Sequence, residues 1–152
     1  MYALVLWLHS WIRWLALAAG IGATVAALNQ DKSAGVDRAD RWGLALVISV
    51  DIQLLLGLLL YFVVSPNMQA IRADFSAAMR RPDLRFWAVE HLTMMLAAVV
   101  LVHVGRVLAR KARTPAARRI RMLLCFGLAT LLMLVATPWP GLRAGRPLFR
   151  LG

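Results

Sequence analysis

The sequence predicts an all-α integral membrane fold, a four-helix bundle of four spans, and three observations predict it. Of 152 residues, 61% are apolar and only 16% are charged, against about 25% charged in an ordinary soluble domain. Mean hydropathy is +0.69, and a soluble domain of this length has too much surface per volume to bury so many apolar side chains. The apolar residues also gather into long runs separated by short charged breaks. Together these exclude a soluble globule, a disordered tail and a disulfide scaffold. The length fits one domain, 1–152.

A bilayer core requires about 20 apolar residues per helix. The first predicted span runs from Tyr2 to Leu28. It has no basic leader and no small-residue cleavage site, so it reads as a retained helix. Polar residues 29–41 follow, then a second span, Trp42 to Val64, which ends at Ser65-Pro66-Asn67 because proline cannot continue a helix. In the loop beyond it, Met68, Ile71, Phe75 and Met79 recur at helical spacing. That spacing predicts a short amphipathic helix on the membrane surface. The third span runs from Phe86 to Ala109, and the fourth from Met122 to Thr137, closed by Pro138-Trp139-Pro140-Gly141. The single cysteine, Cys125, leaves no intramolecular disulfide.

Charge gives the orientation. The net charge is +11, and the basic residues sit mostly between the apolar runs. Ten of them (Lys32, Arg38, Arg41, Arg106, Arg110, Lys111, Arg113, Arg118, Arg119 and Arg121) fall on one side. Seven (Arg72, Arg80, Arg81, Arg85, Arg143, Arg146 and Arg150) fall on the other. The positive-inside rule then places both termini outside, on the periplasmic face of a bacterial inner membrane. Anionic lipid is the expected partner of the basic loops. They lack interleaved aromatics, which argues against nucleic acid.

Ionisable groups within spans are costly and usually face the bundle interior. Here they are His9, Arg13, Asp51, Glu90, His91 and His103, with Gln53 as a polar neighbour. In the first span, Trp7, Trp11 and Trp14 make one stripe, while His9, Arg13, Ala16 and Gly20 make another on the opposite face. The tryptophans are expected to face lipid and the second stripe to face inward, where small residues permit close helix approach. His9 and His91 lie at nearly the same depth. Two imidazoles so placed suit the two axial positions of haem iron, and helical bundles hold cofactors between facing helices; equally, His91 could simply hydrogen-bond a backbone group or a neighbouring side chain. His103 lies about 18 Å further along its helix with no second histidine at that depth, so it reads as a packed or interfacial histidine. Arg13, which needs a partner at that depth, is expected to pair with Asp51 or to hold a haem propionate or a quinone carbonyl. Glu90, the only glutamate, is a candidate proton carrier or, equally, an ion-pair partner of an arginine. Met94 and Met95 beside His91 suit Cu(I) as thioether ligands or fill the core as ordinary apolar residues.

The segments LHSWIRW, DIQLLLGLLLYF, FWAVEHLTMM with HVGR, and TPWP resemble a family of small bacterial four-helix integral membrane proteins, often labelled hypothetical or cytochrome b-like. The likeness spans nearly the whole chain. It implies that His9 with Arg13 and Trp14, the segment Ile52–Leu55, Val89-Glu90-His91 and Pro138-Trp139 are the shared positions. Some members carry His where this chain has Asp51, which weakens any scheme that ligates haem there.

Three functions compete. The first is a haem b protein passing electrons between quinone and an acceptor near the outer face. In it His9 and His91 are iron ligands, Arg13 and Gln53 line the cofactor, and Glu90 and Arg13 act in catalysis. The second is a copper-handling membrane protein, which as four spans would need a homodimer. The third is a cofactor-free accessory subunit of a membrane complex. No GxSxG, HExxH or Walker A motif is present.

Overall fold

The computed structural model describes residues 1–29 and 33–149, with side chains in the second helix described from Arg38 onward. Lys32 and Arg150, which enter the charge count, lie outside the described residues. The described chain is helical with no strand. Helix α1 is Tyr2–Leu28 and α2 is Ser33–Leu59, which continues as a π-helical turn, Leu60–Val64. Three short helices follow: α3 (Pro66–Ala73), α4 (Phe75–Arg80) and α5 (Pro82–Arg85). A second π-helical turn, Phe86–Glu90, leads into α6 (His91–Arg110), and α7 (Pro115–Val135) comes last.

Among the described residues, three helical stretches are long and apolar enough to cross a membrane: Tyr2–Leu28, Arg38–Val64 and Pro82–Arg110. The first matches its predicted bounds. The second begins earlier than expected, because the polar stretch before Trp42 is already helical. The fourth expected span does not reach the same standard. Helix α7 is 21 residues long, but Arg118, Arg119 and Arg121 occupy its opening turns, so its apolar part starts only at Met122. Its start is well specified: Thr114 caps it by accepting from the Ala117 amide at 3.1 Å, and Pro115 stands in the first turn.

The four long helices contact one another in a ring. Helix α1 packs on α2 and α7, and α6 packs on α7 and α2, so α1 and α6 are the diagonal pair. We call the end holding Tyr2, the short helices and residues 136–149 the tail end, and the end holding the α6–α7 connection the loop end.

The loop end is packed solid. Ala16, Ala19, Ala23, Ala26 and Ala27 line one stripe of α1 and are buried against Leu46, Phe126 and Ala129. Small residues at this spacing let helix backbones approach closely. A Cβ on Gly20 would come within 2.5 Å of Thr130 Oγ1, and one on Gly105 would overlap Cys125. Arg106 donates to the Asp40 carbonyl at 3.2 Å, and Arg118 forms an ion pair with Asp40, which fastens α2 to α6 and α7.

The single amphipathic helix expected after α2 is broken. Asp74 ends α3 and caps α4, accepting from the Ala77 amide at 2.8 Å, and Pro82 opens α5. Met68 and Ile71 are buried with Ala78 and Ala88, whereas Phe75 is exposed. This segment therefore packs onto the tail ends of α2 and α6 instead of presenting one continuous apolar face.

Candidate functional site

At the tail end the helices part around a cleft with about 1340 Å³ of atom-free space, part of it open to the outside. Its polar lining comes from His9, Ser10 and Arg13 of α1, Gln53 of α2, His91 of α6 and Arg146 of the tail, among others. The walls are mostly apolar, with Leu54, Leu58, Leu92, Met95 and Val99 among them. Among the described residues no aspartate or glutamate lines it.

His9 and His91 come from the diagonal helices and meet across this cleft. Their ring centroids are 6.5 Å apart and the rings are inclined at 70°. His91 sits level with the end of α7, where the last carbonyls have no partner within their own helix. One of these, Ala136 O, lies 2.8 Å from His91 Nδ1. A carbonyl can only accept, so Nδ1 carries the proton, and the neutral ring keeps its lone pair on Nε2. Phe86 and Trp87 flank the same ring at 5.7 and 5.5 Å. Across the cleft, His9 Nδ1 is buried with no hydrogen-bond partner. Opposite it stands Gly57, where a Cβ would lie 3.4 Å from His9 Cε1, so the glycine keeps that side of the ring open.

Two further buried polar atoms of the cleft-lining residues, Arg13 Nε and Gln53 Oε1, also lack partners. The Arg13 guanidinium reaches the tail through Nη2, which donates to Leu148 O at 2.8 Å, and Trp14 Nε1 donates to the same oxygen at 3.3 Å. Arg146 lies 4.4 Å over the Trp87 ring and reaches Tyr2 Oη at 3.3 Å. Among the described residues the cleft thus gathers two guanidiniums and two imidazoles and no carboxylate, an arrangement that favours an anionic, otherwise apolar ligand.

Several expectations change here. The Arg13–Asp51 pair does not form: Arg13 reaches up to the tail, and Asp51 instead faces His103, with Oδ1 3.4 Å from Nε2. Trp7 and Trp11 are exposed as expected, but Trp14 turns inward, stacked on Phe149 at 5.4 Å and edge-on to Trp139 at 6.2 Å. Glu90 lies outside the cleft lining and accepts from Arg85 Nε at 2.7 Å. Met95 lines the cleft and Met94 does not. Among the described residues no three His, Cys, Asp or Glu side chains gather in a way that could hold a metal ion by themselves.

Sequence reasoning brought His9, His91, Arg13 and Gln53 to one place, and it missed Arg146 and Tyr2. In the sequence Arg146 reads only as a charge of the tail. The aromatic Phe149, beyond the proline stop at Pro138, was the available sign that this tail folds back onto α1. No family model, curated protein or solved structure matches the chain.

Proposed function

We propose that this chain is a four-span haem b protein of a bacterial inner membrane, exchanging electrons between membrane quinone and an acceptor near the outer face. The observation that carries the reading is the His9–His91 pair across the bundle diagonal. Two imidazoles bonded to one first-row metal at about 2 Å each have ring centres about 6 Å apart, and the observed separation is 6.5 Å. The hydrogen bond from His91 to Ala136 O fixes the orientation of that ring and leaves Nε2 free, as the outer hydrogen-bond partners of ligating histidines do.

The residues fit the group. His9 and His91 would bind iron, and the guanidiniums of Arg13 and Arg146 would hold its two propionates. The unpartnered Gln53 Oε1 is an acceptor left for a ligand. Haem supplies one-electron chemistry when bound. The protein's own part is to orient the two imidazoles, neutralise carboxylates and limit water through the folded-back tail. The two guanidiniums weigh against Cu(I), a cation, in the same cleft. Glu90, paired with Arg85, is outside this scheme. The motif resemblance to cytochrome b-like four-helix proteins agrees with it, and α7 supplies the fourth span. The excess of basic residues at the loop end puts that end in the cytoplasm and the cleft toward the periplasm.

Purified in detergent after expression with added 5-aminolaevulinate, the protein should carry about one haem per chain and show sharp reduced α and β bands. A colourless protein under those conditions overturns the proposal. A second reading, a cofactor-free accessory subunit, draws on the Asp51–His103 pair, which lies half-exposed on the outer flank. That reading predicts other subunits in stoichiometric amount and no haem.

A further inference from the structure

The outer flanks of the bundle differ in one respect. On α7, Ile120, Leu124, Leu128, Leu131 and Val135 form an exposed stripe at helical spacing that is apolar throughout. On α2 the exposed stripe is interrupted at its centre, and on α6 nearer the loop end. Asp51 lies among Ile48, Ile52 and Leu55, spaced i, i+3, i+4, i+7, and His103 lies among Leu96, Val100, Val104 and Val107. The side chains of Asp51 and His103 are 46% and 47% exposed. Asp51 is also the central residue of the apolar stretch Arg38–Val64.

A span centre is where an ionisable side chain facing lipid costs most, and such groups face protein instead. The hydrogen bonding sharpens the point. His103 Nδ1 lies 3.0 Å from Val99 O, so it donates there, and Nε2 is the nitrogen that faces Asp51. That contact requires one proton held between carboxylate and imidazole. It leaves the second carboxylate oxygen without a protein partner from this pair. At 3.4 Å the contact is also longer than an ordinary N–H···O bond.

We propose that this face, Ile48–Leu55 of α2 with Leu96–Val107 of α6, is the contact surface of a twofold-symmetric dimer of this chain within the membrane. The inference rests on the membrane reading given above. A second copy is the occupant the charges favour. A twofold axis along the membrane normal preserves depth, so Asp51 of one copy arrives level with His103 of the other, and one patch offers both signs. Two carboxylates and two imidazoles then close into an alternating cluster sealed by the apolar stripes. A single polar position in an otherwise apolar helix seam is a recognised way to fix register and stoichiometry. Leu96 belongs both to this face and to the cleft lining, so the interface borders the cleft, while His9 and His91 lie outside the face.

The test counts subunits. The full chain, with a fluorescent protein on its C-terminus, is reconstituted at high dilution into phosphatidylethanolamine–phosphatidylglycerol vesicles, and photobleaching steps are scored. The wild type should bleach mainly in two steps. Asp51→Leu with His103→Leu should raise the dimer dissociation constant about tenfold. In a Cys125→Ser background, Val100→Cys should cross-link to itself under mild oxidation, whereas Leu128→Cys on α7 should not. The cross-link stands by itself should the double variant fail to fold. Wild type bleaching in single steps, self-cross-linking at 128 but not at 100, or a different polypeptide captured stoichiometrically at 100 each overturns the interface. Membrane fractions from the same cells separate the two claims: chain in the carbonate-soluble fraction defeats the membrane reading, and membrane-held monomer defeats only the dimer.

Discussion

The two ends of the bundle are built from the same four helices and do opposite things. At the loop end, alanines and glycines bring backbones together and Phe126 is fully buried among them. At the tail end, histidine, arginine, tyrosine and tryptophan hold the helices apart around a cleft. Two π-helical turns, Leu60–Val64 and Phe86–Glu90, lie at that end, and Leu60, Tyr61 and Trp87 from them line the cleft. Insertions of this kind are frequent at functional sites. The contrast teaches that side-chain size along one helix can divide a small bundle into a clamp and a receptacle. On α1 the change falls at Ala16 and Leu17, which line the cleft and also belong to the buried core.

The largest effect on the clamp should come from Phe126→Ala, costing about 3–5 kcal/mol of stability. Denaturant melts monitored by circular dichroism would register it, and the haem spectrum of the folded fraction should stay unchanged. Arg13→Met acts on the receptacle. Losing a charge-assisted contact of about 1.5–3 kcal/mol should weaken haem binding about 10- to 100-fold by titration, with little change in the melt. A matched pair of glycine substitutions sharpens the contrast. Gly20→Leu meets Thr130 and Met133 and should cost about 1–3 kcal/mol. At Gly57 an added Cβ meets only His9 within 4 Å, so Gly57→Leu should fold and lose haem by filling the cleft. If both fail to fold, or both bind haem normally, the division into two ends is wrong. The smallest effect is expected from Phe149→Ala, which removes the stack on Trp14 worth about 0.5–1.5 kcal/mol. It should loosen the tail, visible as faster haem transfer to apomyoglobin, with the melt nearly unchanged.

Much of this contrast was legible in residue order. The inward stripe His9, Arg13, Ala16, Gly20 follows from helical spacing, and the structure keeps it: Ala16 and Gly20 are buried and His9 and Arg13 line the cleft. The matched depth of His9 and His91 also follows from counting residues, and the rings do meet. What spacing could not supply was the partner of Arg13. Its long side chain travels along the helix to Leu148, 135 positions away in sequence, while Asp51 lies half-exposed on the outer flank of α2. The break in the second loop escaped for another reason. Met68, Ile71, Phe75 and Met79 fit one helical face, but Asp74 competes as a cap and ends the helix before Phe75. The short fourth apolar run shows a limit of counting apolar residues, since α7 is as much an arginine-bearing helix as an apolar one.

On the haem proposal, His9 and His91, and not His103, would bind the iron. The most direct measurement is the low-temperature EPR spectrum of the ferric protein as wild type, His9→Ala, His91→Ala and His103→Ala. The account predicts a low-spin signal in the wild type and in His103→Ala. It predicts conversion to high spin in each of the other two, reversed by added imidazole. Loss of the low-spin signal in His103→Ala, or its persistence in both His9→Ala and His91→Ala, would contradict the account.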